Sequence, residues 1–341
     1  MADPVRLMRT ETDVGVPLID LSEGSSRRVA SRVADACVRD GFFAITGHGV
    51  DLALIERMYV ATKALFALPD AVKDDLVVDP ADPFGRGFSR SGAVAKASDE
   101  DARLVKAEAT APPDLCEVFS MAVAPERGYA EVPHPDLMRP NHWPAPATDQ
   151  EWIRQTWLGY SAEMSLLSDR IMRLFAIALD LPETWFDKFI DREIGSLTAN
   201  YYPKQFVAPV PGQIRKGEHT DWGSLTLLYQ DSAAGGLQVM ELDGSWTDVP
   251  VVEGAFLVNL GDLMARWTND RWRSTVHRVV NPPRTGEPTE RFSIPYFHQP
   301  NFDALIECIP TCLEPGESPK YAPVTSGNHL LGKVSRMYAT V

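Results

Sequence analysis

His219 and Asp221 stand two positions apart in Gly217-Glu218-His219-Thr220-Asp221-Trp222-Gly223-Ser224. In an extended segment alternate side chains leave the same face, so this imidazole and this carboxylate can converge on one point. A redox-active ferrous site takes two imidazoles and one carboxylate and keeps its other coordination positions open. His277, in Ser274-Thr275-Val276-His277-Arg278-Val279, is the candidate second imidazole. A His-x-Asp pair is also common as a surface hydrogen-bonding pair, so the metal reading depends on what else converges there.

A second group lies 14 positions after His277, at Arg291-Phe292-Ser293. Arg291, Ser293, Pro295 and Phe297 share a parity, so a strand here offers a guanidinium, a hydroxyl and an aromatic ring from one face. Guanidinium makes paired hydrogen bonds to a carboxylate, and a nearby hydroxyl can satisfy a further oxygen lone pair. Taken alone, Arg-x-Ser describes an ordinary salt bridge equally well. Trp222 directly follows Asp221 and Phe297 shares the Arg291 face, so both are candidates to line a substrate pocket, with a buried core ring as the competing reading. Phe88, Arg86 and Trp143 are looser candidates from flanking loops. His48, His134, His142, His298 and His329 have no ligand partner at useful spacing and read as structural or exposed.

The chain that must position these residues has 341 residues, 44% hydrophobic and 23% charged, enough for one large domain or two packed closely. A net charge of −14 argues against nucleic acid and anionic membrane surfaces as partners. No apolar run approaches the ~18 residues of a membrane span. A small-molecule substrate and a cytoplasmic location are expected, with the oligomeric state open. The four cysteines are too scattered for a disulfide framework, and Cys308 and Cys312 lack the second pair that a four-ligand zinc site requires.

Two regions are expected, residues 1–147 and 148–341. In the first, Val16 to Leu21 and Phe42 to Thr46 read as strands. Between them a helix runs from about Ser26 to Asp40, with Gly41 as its left-handed stop, and a second helix is capped by Asp51. From Val77 to Pro146, Arg86 to Gly92 and Asn141 to Pro144 read as loops. The second region opens on a long helix from near Asp149 to Leu179. Its buried stripe is read as Trp152, Thr156, Tyr160, Met164, Leu167, Ile171 and Phe175. After about Ser196, short apolar runs separated by turns predict strands at Leu225 to Tyr229, Gly236 to Met240, Trp246 to Val249, Ala255 to Leu260, Thr275 to Val280 and Phe292 to Phe297. That spacing suggests a sandwich or jelly roll, closed by a helix from Asn328 to Met337.

The order His-x-Asp, distal His, Arg-x-Ser in a strand-rich second half resembles the isopenicillin N synthase-like branch of the Fe(II)- and 2-oxoglutarate-dependent oxygenases. The resemblance covers nearly the whole chain. It includes Val16-Pro17-Leu18-Ile19-Asp20, Asp40-Gly41-Phe42-Phe43, Gly47-His48-Gly49-Val50, Asn200-Tyr201-Tyr202-Pro203 and Gly261-Asp262. It implies a fold that is mainly β with α: a double-stranded β-helix with an N-terminal α/β layer and a C-terminal helix. It implies His219, Asp221 and His277 as iron ligands, and Arg291 with Ser293 on the distal carboxylate of 2-oxoglutarate. Asn200 and Tyr202 are implied as further co-substrate contacts, where Tyr201 and Tyr202 would otherwise read as core rings.

The implied reaction consumes dioxygen and 2-oxoglutarate, releases succinate and carbon dioxide, and hydroxylates a small aromatic or heterocyclic metabolite. Gly217 to Asp221, Gly235 to Val239, Asn259 to Asp262 and Ala265-Arg266-Trp267 are similar to the thymine-hydroxylase-like subgroup. The pattern departs from it at Trp222, where that subgroup tends to carry Tyr, and at Thr198, where it tends to carry an Arg suited to a polar base. Thr198 is thus a candidate substrate position, and nucleobase specificity does not follow. Alternatives at this stage are a 2-oxoglutarate-independent oxidase or cyclase, an ethylene-forming relative, and a non-catalytic metal- or ligand-binding module.

Overall fold

Asp51 opens the second helix, as its side chain predicts, and Ser25 caps the first. In the computed structural model, which describes residues 15–79, 81–90, 112–129, 134–145, 150–231 and 235–338, strand β1 (Leu18–Asp20) leads to α1 (Ser26–Arg39), where the Ser25 hydroxyl accepts the Arg28 N–H. Gly41 follows at φ +63°, and a Cβ there would lie 2.2 Å from the Arg273 carbonyl oxygen, so only glycine fits this stop. Then come β2 (Phe42–Thr46) and α2 (Leu52–Phe66), with the Asp51 carboxylate accepting the Ala53 N–H. The first region continues through α3 (Asp70–Asp74), β3 (Gly87–Ser89), β4 (Glu117–Ala122) and α4 (Ala124–Arg127).

The second region begins with α5 (Glu151–Ala178) and α6 (Asp187–Ile190). Strands β5 (Ser196–Tyr202), β6 (Lys216–His219), β7 (Leu225–Gln230), β8 (Leu237–Met240), β9 (Trp246–Asp248) and β10 (Phe256–Leu260) follow, then α7 (Asp262–Trp267). The chain continues through β11 (His277–Val279), β12 (Arg291–His298), β13 (Leu305–Ile306), β14 (Val324–Thr325) and α8 (Ser326–Tyr338). No helix among the described residues is long and apolar enough to cross a membrane.

Eight strands form one sheet in the order β1-β2-β10-β7-β12-β5-β4-β3, and β6-β11-β8-β9 form a smaller one facing it. These are the two sheets of a double-stranded β-helix. The large sheet is buried on both sides, and its alternation decides what each side does. On β12, Phe292, Ile294 and Tyr296 join the core under α1, α2 and α5, while Arg291, Ser293, Pro295 and Phe297 face the small sheet. The same alternation places Leu197 and Ala199 of β5 outward and Asn200 and Tyr202 inward.

Two readings of the sequence need correction. Gly87–Ser89, expected in a loop, is a strand paired with β4, and β4 itself lies between the two expected loops, where the sequence pattern is weak. Their neighbours Ser91 and Gly92, like the expected boundary at 147 and 148, lie outside the described residues. On α5, Trp152 is 42% exposed and Thr156 is half-buried, whereas Ile153 and Trp157 are buried. Each step of four overshoots a helical turn by about 40°, so a stripe traced backwards by fours drifts off the face that Tyr160 and Met164 occupy. Strands β1 to β4 of the first region lie in the same sheet as β5, β7, β10 and β12 of the second.

His298, at the end of β12, is fully buried: its Nδ1 lies 2.6 Å from Ser224 Oγ and its Nε2 lies 3.5 Å from Glu193 Oε2. Burial lowers its pKa to about 4 from 6.5, against an opposing pull from Asp169. The unfolded chain therefore takes the proton first. The stability this neutral ring adds is complete above about pH 6.5 and drains as the pH falls towards 4. Between about pH 7 and pH 5 the loss from His298 should be about 2 kcal/mol. Urea unfolding at both pH values should show His298→Asn, less stable at neutral pH, losing that much less than wild type on acidification. Equal losses would remove His298 as a source.

Candidate active site

His219 closes β6 and His277 opens β11, and the antiparallel register sets them directly opposite each other, with ring centroids 4.2 Å apart. Asp221 lies two residues past the strand end. One ligand atom from each of the three lies within 4.8 Å of the others, and His277 Nε2 is 3.8 Å from Asp221 Oδ1. Both imidazoles are fixed from behind: His219 Nδ1 is 2.8 Å from the Gly217 carbonyl oxygen and His277 Nδ1 is 3.1 Å from that of Thr275. A carbonyl can only accept, so each Nδ1 carries the proton and each Nε2 keeps its lone pair for a metal.

Asp221 is oriented in the same way. Its Oδ2 accepts from Thr226 Oγ1 and from Asn259 Nδ2, both at 2.6 Å, leaving Oδ1 towards the histidines. Thr226 and Asn259 are register partners on β7 and β10. Although burial alone would raise the Asp221 pKa, the two histidines, Asn259 and Thr226 hold it below the usual carboxylate value. Burial, then the neighbouring His277 and Lys216, push the His219 pKa down. Two neutral imidazoles and one carboxylate with an open side fit a ferrous ion.

The ligand loop is held by close backbone approach and by one carboxylate. A Cβ on Gly261 would lie 2.2 Å from the Gly223 carbonyl oxygen, and one on Gly223 would lie 2.4 Å from that of His298. Asp262 donates its N–H to the Asp221 carbonyl oxygen. Its side chain accepts from Thr220 Oγ1 at 3.2 Å, from Ser274 Oγ at 2.7 Å and from Lys333 Nζ at 2.6 Å. Both ligand-bearing segments and α8 thus meet at Asp262.

Between the sheets, a cleft of about 40 Å³ runs from the three ligands to Arg291. Register places Arg291 opposite Tyr202 and Ser293 opposite Asn200. Arg291 is 1% exposed and donates from Nη2 to Gln230 Oε1 at 2.9 Å, while its Nε and Nη1 find no partner among the described residues. Buried guanidinium donors are costly to leave unmade. Their placement beside Ser293 fits a ligand carboxylate at the far end of the cleft, as a 2-oxoglutarate bound to the metal would present.

A larger chamber of about 320 Å³ opens beside His219 and Asp221. Trp222, Phe297 and Thr198 line it, and Phe297 reaches both cavities. Phe88, Arg86 and Trp143 do not. Phe88 pairs in register with Phe119 and so faces the helices, packing on Phe66. Trp143 packs on Phe119 and Trp157. Arg86 binds Asp82 through Nε and Nη2, both at 2.7 Å, and donates to the carbonyls of Asp136, Leu137 and Arg139. It braces the Pro83-Phe84-Gly85 wall of the chamber without entering it.

Asn259, Thr226 and Lys216 were not singled out from sequence. Asn259 was detectable as the one polar residue in the apolar run Ala255 to Leu260, where a buried amide needs a partner. Lys216 was hidden by a β-bulge: His277 pairs with His219 but Val279 pairs with Lys216, so a step of two residues on β11 matches a step of three on β6. Asn259→Leu should weaken Fe(II) binding about 10–100-fold in a metal titration, the usual cost of losing such a partner. Unchanged affinity would detach Asn259 from the carboxylate's role.

Comparison with known proteins agrees with this geometry. Residues 194–300 match the model of the 2OG-Fe(II) oxygenase superfamily, and residues 16–146 match the N-terminal non-haem dioxygenase model named for morphine synthesis. A 2-oxoglutarate-Fe(II) type oxidoreductase of Emericella nidulans is 33% identical over 94% of this chain and 90% of its own length. The validamycin A dioxygenase of Streptomyces hygroscopicus subsp. limoneus is 32% identical over 94% of this chain and 86% of its own. The full-length thymine-7-hydroxylase of Neurospora crassa, solved with α-ketoglutarate and thymine, superposes with a TM-score of 0.81 at 32% identity, covering 96% of this chain and 97% of that one. The chain belongs to the 2-oxoglutarate-Fe(II) oxygenase superfamily and is a dioxygenase that uses Fe(II), 2-oxoglutarate and dioxygen.

Proposed function

We propose that His219, Asp221 and His277 hold the iron, that Arg291, Ser293, Asn200 and Tyr202 hold 2-oxoglutarate in the cleft, and that the chamber beside Trp222 presents a C–H bond of a small aromatic or heterocyclic metabolite for hydroxylation. Bound iron supplies the redox chemistry that couples dioxygen and the conversion of 2-oxoglutarate to succinate and carbon dioxide with oxidation of the substrate. The protein supplies placement. Arg291 and Ser293 fix the distal carboxylate, Thr226 and Asn259 keep Asp221 aimed, and the chamber walls keep water from the reacting bond. Trp222 and Phe297 offer flat apolar surfaces to a ring.

The observation that carries this reading is the pair of unsatisfied, buried Arg291 donors at one end of a cleft whose other end is the His-Asp-His cluster. Relatives named for action on validamycin A, or solved with thymine, support a small substrate. Purified protein with Fe(II) and ascorbate should convert 2-oxoglutarate to succinate, faster when a substrate from a panel of nucleobases, phenolics and amino-acid derivatives fills the chamber. Substrate-dependent oxygen uptake without 2-oxoglutarate would instead select an oxidase or cyclase, and ethylene in the headspace would select fragmentation of 2-oxoglutarate.

A further inference from the structure

We propose that Lys216 sets the substrate class: its ammonium receives the carboxylate of a compact, otherwise largely apolar acid bound in the chamber. This rests on the assignment of the 320 Å³ chamber to the substrate and narrows what enters it. The β6 bulge turns Lys216 to the inner face with His219, and there it lines both the cleft and the chamber. Its one hydrogen bond among the described residues runs from Nζ to Asn200 Oδ1 at 3.2 Å, which leaves two of its three N–H donors without a partner there. It joins no ion pair among the described residues. Asp114, the nearby carboxylate on its own strand's flank, accepts the Gly217 N–H and lines neither cavity.

Apart from the iron ligands, Lys216 is the one charged side chain lining the chamber among the described residues. Its neighbours there are rings, aliphatic groups and neutral hydroxyls such as Phe84, Leu137, Phe297, Leu330, Ser120 and Thr198. Charge balance separates substrate from co-substrate as its ligand. Fe(II), the Asp221 carboxylate, the Arg291 guanidinium and a 2-oxoglutarate dianion sum to zero, so Lys216 is the surplus cation facing the remaining space. A cation in a low-dielectric chamber favours one anionic group on the next molecule to enter. The volume is at the small end for ligand chambers, which limits the apolar body to a compact one.

The test is calorimetric binding to the anaerobic Fe(II)- and 2-oxoglutarate-loaded protein, using matched probes: phenylacetate against phenylacetamide, and indole-3-carboxylate against its amide. Wild type should bind the acids about tenfold or more tightly than the amides. Lys216→Met should erase that preference, and Lys216→Arg should retain most of it, which separates lost charge from a damaged fold. No preference for acids in wild type, absence of probe binding included, overturns the proposal. So does a Lys216→Met variant whose loss of 2-oxoglutarate affinity exceeds its loss of acid affinity, since Lys216 would then serve the co-substrate. Failure of wild type to bind or consume 2-oxoglutarate at all would instead overturn the functional reading beneath it.

Discussion

His219→Ala should reduce 2-oxoglutarate-dependent succinate formation to below one hundredth of wild type, beyond the ~10–100-fold cost of losing an outer partner. The variant keeps Asp221 and His277 but loses the imidazole that the β6–β11 register sets against His277. Two ligands from one side hold a ferrous ion poorly, so metal titration should show the loss before any turnover is measured. A fold defect is not the expected cause. His219 is half-buried, and its protonation is already disfavoured by burial and by His277 and Lys216. The metal-free variant should therefore unfold within about 1 kcal/mol of wild type. A variant that still binds iron and makes succinate at the wild-type rate would sink the ligand assignment.

The legible part of this molecule is the part governed by alternation. Parity alone placed Arg291, Ser293, Pro295 and Phe297 on one face, and all four line the inter-sheet cleft. The cap at Asp51 and the stop at Gly41 were legible for a related reason: each is settled within a few residues. What escaped depends on pairing at long range. Strand β4 exists because it pairs with β5, some 80 positions away, and its inward residues Val118, Ser120 and Ala122 are too small and mixed to signal a strand. Phe88 went astray because only its register with Phe119 reveals which side of the sheet it takes. Lys216 was invisible to parity because a bulge breaks the two-residue period three positions before His219.

The same dependence on pairing explains how the site is built. The two histidines come from neighbouring strands of the small sheet, whereas Arg291, Ser293, Asn200 and Tyr202 come from neighbouring strands of the large one. Asp221 joins the layers, since its carboxylate is held by Thr226 and Asn259 of the large sheet. Sheet separation thus sets the distance between metal ligands and carboxylate anchor. A co-substrate with a metal-binding head and a carboxylate tail fits that span from both sheets at once.

Arg291→Leu should therefore act on the co-substrate rather than on the metal or the substrate. Removing one partner of a buried, hydrogen-bonded charge pair costs about 2–5 kcal/mol, so the KM for 2-oxoglutarate should rise on the order of a hundredfold or more. Iron affinity should be little changed, because Arg291 touches none of the three ligands. Saturating 2-oxoglutarate should restore much of kcat, whereas Lys, a point charge without the planar fork, should recover only part of the lost affinity. Without ligands the effect on stability should be small or favourable, since wild type buries a guanidinium whose Nε and Nη1 lack partners among the described residues. Equal losses in co-substrate and substrate affinity would show that Arg291 supports the chamber as a whole and would remove it from its place at the carboxylate.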